Sequence, residues 1–274
     1  MNDFRVLALH EMRQTLRKRW FWFYMVAFGA LCALVSVGSV VVARVSGVVS
    51  FGPTAATLIN LNLVVVTLMS LLVGALSVVT DRENHNLSYL VSLPVTIDEI
   101  FYAKVVALVV GLSSAVGIGF ATAFLIMSYA GASGNIGDVI QFALETWLLM
   151  VCTASLGILI SVVARTTVSA ISIAILTWLT LVVLGDLGIM AGALTMHLGT
   201  QGLLFLTIVN PLEAYKIASV AALSGSVDVL GPGGRLATDL FGASLMPLLT
   251  SILLAWSVAC LVAARILVGR RDVV

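Results

Sequence analysis

Apolar runs almost free of charge cover residues 20–43, 54–80, 103–130, 139–164, 168–196 and 243–268. A spanning helix needs about 20 such residues, so each run is long enough to cross a bilayer. The strict apolar-polar alternation of a barrel strand is absent, which leaves helices as the spanning form. The pattern therefore predicts an all-α, polytopic membrane protein with six transmembrane helices, built as one domain over residues 1–274.

Three segments between the runs carry patterns of their own. In residues 2–19, Phe4, Leu7, Ala8, Met12, Thr15 and Leu16 fall at helical spacing, with Arg5, Arg13, Arg17, Lys18 and Arg19 as the polar side. This predicts a basic amphipathic helix in the membrane interface, serving as an anchor or also touching a partner. Trp20, Trp22 and Tyr24 follow as an aromatic belt.

Residues 81–102 form the second segment, where Leu87, Tyr89, Leu90, Val91 and Leu93 suit a short interfacial helix ended by Pro94. Thr96 and Glu99 then have the spacing of a capping box, which starts a new helix leading into the third run. A loop folded in this way suggests a docking surface. The third segment, residues 197–242, contains LLFLTIV, too short to cross, and then Asn210-Pro211-Leu212-Glu213. Asparagine at the cap, proline at the first helical position and an early glutamate mark a helix start, here for about Pro211 to Leu223. Two short apolar helices broken by Asn-Pro fit a re-entrant element, and the Gly-rich remainder reads as loop.

Composition excludes a sizeable water-soluble domain: hydrophobic residues are 61% and charged residues 10%, against about 25% charged in soluble domains. The net charge of +1 gives no pull towards nucleic acid. The placement of charge is more informative. Eleven of the 14 basic residues (Arg5, Arg13, Arg17, Lys18, Arg19, Arg82, Lys104, Arg165, Arg265, Arg270 and Arg271) share one side if the runs alternate, leaving Arg44, Lys216 and Arg235 on the other. Both termini are thereby predicted in the cytoplasm, with the chain in the cell membrane. The first run is too long for a signal-peptide core and is expected to be retained.

Several polar residues interrupt the apolar runs. The second run holds Thr57, Asn60, Asn62, Thr67 and Ser70, suited to helix-helix hydrogen bonding or to lining a pathway. Glu145 and Asp186 are ionisable residues within or near runs, functional candidates unless hydrated at the interface. Ala103, Ala107, Gly111, Ala115, Gly119 and Ala123 form a ridge of small residues at four-residue spacing, which predicts close helix packing and a central place for the third helix.

Catalytic motifs are missing from the sequence. No lysine follows glycine, so there is no phosphate-binding G-x-x-x-x-G-K-[ST] loop, and neither H-E-x-x-H nor G-x-S-x-G occurs. The lone cysteines Cys32, Cys152 and Cys260 suggest neither disulfides nor a metal site. Met190, Met196 and His197 could attract copper(I), although methionine in an apolar helix usually just packs. No cofactor or metal is expected, and the chain is not expected to be an enzyme.

The layout resembles the permease subunits of type-two ABC exporters. The resemblance is carried by HEMRQTLRKRW at residues 10–20, DRE at 81–83 with LVSLPVTIDEIFYAK at 90–104, and NPLEAYKIASVAAL at 210–223. Within that family the chain looks most like the multicopper-enzyme and nitrous oxide reductase maturation permeases, which also carry an aspartate where Asp186 stands. It departs from them at Asn86-Leu87, where a Gly-Thr pair is frequent.

The resemblance implies two copies of this chain, or one with a related permease, and two copies of a separate cytoplasmic ABC ATPase. It implies ATPase coupling through Asp81, Arg82, Glu83, Asn84, His85, Tyr89, Leu90 and Pro94. It further implies a pathway at Asn60, Asn62, Glu145 and Asp186, and an outer gate at Asn210, Pro211, Glu213 and Tyr215. The maturation group adds a periplasmic protein as a partner. Two other classes stay open: an assembly or anchor subunit with no pathway, and a proton-coupled secondary carrier resting on Glu145 and Asp186.

Overall fold

A computed structural model describes residues 9–13, 19–46, 57–84, 96–130, 136–195, 209–224 and 244–270. No strand occurs among them. The long helices are α1 (Arg19–Ser46), α2 (Thr57–Glu83), α3 (Ile97–Tyr129), α4 (Ile136–Val163), α5 (Thr167–Thr195), α6 (Pro211–Ser224) and α7 (Leu245–Arg270). All but α6 contain a stretch long and apolar enough to cross a membrane. The protein is therefore all-α and multi-pass, as the run pattern predicts.

Two helix starts are built as their residues dictate. Thr96 Oγ1 accepts from the Glu99 backbone N–H at 3.3 Å, and Glu99 returns the contact by accepting from the Thr96 N–H at 2.9 Å. These bonds satisfy amides that the first turn of α3 would otherwise leave bare. At α6, Asn210 Oδ1 accepts from the Leu212 N–H at 3.0 Å. Glu213 does not complete a box there; its Oε1 lies 2.8 Å from Lys216 Nζ instead.

The centre of the bundle is α4, not α3 as the small-residue ridge suggests. In α4, 72% of the most apolar stretch is buried, against 39% in α3, and α2, α6 and α7 all pack on it. The ridge does allow a close approach, but to the peripheral helix α1. Phe28 is fully buried in the notch at Gly119, where a Cβ would collide with its ring.

Helices α2 and α4 meet in a constant register. Asn62 pairs with Thr146, Ser70 with Thr153, Val78 with Ser161 and Arg82 with Ala164, at sequence separations of 84, 83, 83 and 82 residues. A fixed offset means that the two helices run in the same direction and stay aligned for five to six turns, or ~30 Å. Gly74 faces Gly157 in this seam, where a Cβ on Gly74 would lie 2.5 Å from the Ala154 carbonyl oxygen and 3.0 Å from Gly157 Cα. The backbones touch directly, as small residues permit.

Two irregularities interrupt α2. A π-helical turn covers Asn62–Val66. Near Ser77 and Val78 the helix breaks, and Ser161 Oγ on α4 accepts from the N–H groups of both Val78 and Val79 at 2.9 Å. The break thus leaves neither amide unpaired in an apolar setting.

Candidate functional site

Polar side chains gather at the two ends of the α2–α4 seam. Near the N-terminal ends of these helices, Asn62 Nδ2 donates to Thr146 Oγ1 at 3.2 Å and to Tyr215 Oη at 3.0 Å. Tyr215 Oη and Thr146 Oγ1 are 3.1 Å apart, and Ser219, one turn further along α6, is buried with its hydroxyl unpaired. Thr146 lies ten residues into α4, so α6 meets the seam ~15 Å from the start of that helix. Tyr215 is the largest fully buried side chain in the protein's described core.

Glu145 adjoins this network and is 1% exposed; neither carboxyl oxygen has a hydrogen-bond partner. Asn60 and Asn62, two residues apart, are separated by ~200° around a helix. Only Asn62 enters the seam, while Asn60 is exposed on the other side of α2. Asp186 belongs to α5, and its side chain lies outside the described residues. The preceding residue shows how α5 and α6 meet. A Cβ on Gly185 would collide with Glu213 Oε1 and lie 2.7 Å from Asn210 Nδ2, while that Nδ2 donates to the Leu181 carbonyl at 2.7 Å.

Gly185→Leu is therefore expected to push α6 off α5 at a cost of roughly 1–3 kcal/mol. Gly38→Leu is the control, since nothing lies within 4 Å of a Cβ there. Thermal melting in detergent checks this, and equal melting of the two variants would refute the close approach.

The other end of the seam is tied by charge. Lys104 on α3 pairs with Asp81 on α2 and lies 3.3 Å from Glu11 in the helical stretch 9–13. Arg82 Nη1 donates to the Ala164 carbonyl at 3.0 Å. Glu83 accepts from the Thr167 N–H at 2.9 Å and from its hydroxyl, satisfying amides at the start of α5. Arg265 on α7 pairs with Asp98 on α3.

Asp81, Arg82 and Glu83 thus join the ends of α2, α3, α4 and α5, with Glu83 and Asn84 exposed. His85, Tyr89, Leu90 and Pro94 lie outside the described residues, as do residues 2–8, most of the segment before α6 and the loop 225–243. Sequence reasoning missed Thr146, Lys104, Ser161, Gly185 and the Gly74–Gly157 contact. Lys104, a lone cation at the head of an apolar run, offered a local signal.

Among the described residues no cluster of three or more His, Cys, Asp or Glu side chains could hold a metal. The geometry offers a buried polar seam and a charged tie between helix ends, with no nucleophile-base pair placed for chemistry among the described residues. A family model described as "ABC-2 family transporter protein" matches residues 5–273. No curated protein matches the chain.

Proposed function

Because the chain belongs to the ABC-2 family of transporter proteins, and so is a membrane permease subunit of an ABC transporter, we propose that it is an exporter subunit that works as a homodimer driven by two copies of a separate cytoplasmic ATPase. The observation that carries this reading is the charged tie at the root of residues 84–95. A force applied to that loop by an ATPase would pass through Asp81–Lys104, Arg82–Ala164 and Glu83–Thr167 to four helices together. The asymmetry of basic residues supports placing this end, and both termini, in the cytoplasm.

The Asn210–Ser224 region then stands at the outer side as the gate, with Asn62 and Glu145 beneath it on the pathway. ATP-driven closure acts only by binding one arrangement of these helices better than another. The likeness of NPLEAYK and of the aspartate at 186 to the copper-enzyme maturation permeases supports a substrate needed for a periplasmic copper enzyme.

Reconstitution tests the reading. In vesicles, the chain together with the ATPase encoded beside it should hydrolyse ATP several-fold faster than the ATPase alone, and Leu90→Asp should remove that stimulation. Equal hydrolysis with and without the chain would overturn it. Deletion of the gene should leave a periplasmic copper enzyme without its metal if the maturation reading holds.

A further inference from the structure

The hydrogen-bond network at Asn62 leaves the Glu145 carboxyl without a donor. Asn62 Nδ2 spends its two on Thr146 and Tyr215, and the Thr146 hydroxyl donates to the Phe142 carbonyl at 3.0 Å. The Tyr215 hydroxyl hydrogen is therefore the one shared with Thr146 Oγ1. Left without a hydrogen-bond partner here are Asn62 Oδ1, both oxygens of Glu145 and the Ser219 hydroxyl, all buried, so no donor reaches the carboxyl. Glu145 precedes Thr146 on α4 and lies near enough to Tyr215 to act on it electrostatically.

Among the described residues, no cation is paired with this carboxyl. Residues 57–77 of α2, 105–128 of α3, 167–185 of α5 and 245–264 of α7 contain no Asp, Glu, His, Lys or Arg. On α6 the charged groups are Glu213 and Lys216, with the ammonium at 2.8 Å from Glu213 Oε1, and α5 adds Asp186. An ionised carboxylate buried without partners costs several kcal/mol, and every neighbouring acceptor worsens it.

We propose that Glu145 is a proton-binding site, occupied as the carboxylic acid while α6 is packed against α2 and α4, and emptied to water when α6 moves away. On binding, a proton from water forms the O–H bond at one Glu145 oxygen and neutralises the buried carboxylate; on release it returns to water as α6 uncovers the carboxylate. No other reactant is involved. The release half rests on α6 being the gate, whereas the binding half stands on the packed geometry alone.

Infrared spectroscopy of the whole chain in lipid vesicles tests both halves. At neutral pH the wild type should show a carboxylic-acid C=O band that shifts in D2O, disappears in E145Q and persists in E213Q. The isosteric E145Q should melt with the wild type, whereas E145A, which leaves a cavity, should melt lower. A spectrum unchanged in E145Q overturns the site, as does loss of the band in E213Q instead. Stabilisation of the wild type by Na+ or K+ at fixed pH, lost in E145Q, would assign the site to a metal cation and also overturn it. With the ATPase added, ATP should bleach the band; a band that persists through turnover overturns the release half while leaving the binding site in place.

Discussion

Gly157→Val is expected to prevent the chain from accumulating as a folded protein. A Cβ at this position would sit against the Leu71 carbonyl oxygen and 2.9 Å from both Ala75 N and Gly74 Cα. All three are backbone atoms of α2, so no side-chain rotation can make room. Inserting carbon into a packed core costs ~1–3 kcal/mol even where side chains can yield, and whole domains hold only ~5–15 kcal/mol. Valine forces α2 and α4 apart where their polar pairs depend on contact, so Asn62, Ser70 and the amides at Val78 lose partners together. Gly117→Val is the matched control, because nothing lies within 4 Å of a Cβ there. Yield and monodispersity on size exclusion in detergent decide the matter: similar elution of the two variants would show that the seam is not a backbone contact.

Lys104→Met should produce the second-largest loss. It keeps the length and packing of the stem but removes the cation shared by Asp81 and Glu11, whose side chains are 15% and 8% exposed. Breaking a buried pair by deleting one partner costs 3–5 kcal/mol; with this residual exposure the expected loss is about 3 kcal/mol. Removing one stranded carboxylate should restore part of it, so K104M/D81N is expected to melt above K104M, the interaction signature of a double-mutant cycle. Lys104→Arg should stay near the wild type. If K104M melts with the wild type, the tie at the loop root carries no stability and a force on the loop would not be shared among the four helices.

These two sites also show where sequence reading reaches its limit. The capping box at Thr96 and Glu99 and the cap at Asn210 are local, with all partners within three residues, and both helices start where their sequences say. The glycines at 74 and 157 were invisible as a pair, because a single glycine in a bulky run does not name the helix it will touch. For the same reason the sequence around Asp81, Arg82 and Glu83 does not reveal their partners, which lie 23, 82 and 84 residues away.

The polar line Glu145, Thr146, Thr153, Ser155 and Ser161 was the available sign that α4 is the core, since all five are buried. The regular ridge on α3 outweighed it, although small residues report how closely a neighbour approaches and not how many neighbours there are. The split between Asn60 and Asn62 was legible in principle from helical geometry, once one of them was known to face α4.

The constant offset between α2 and α4 bears on how the chain is made. The polar contacts of α2 with α4 wait for residues synthesised 82–84 positions later. At roughly 5–20 residues per second, that is a delay of about 4–17 s. For that interval α2 lacks the α4 side chains that pair with Asn62, Ser70 and the broken turn at Val78. Ribosome pausing between α3 and α4 would lengthen the most vulnerable period in the life of this protein.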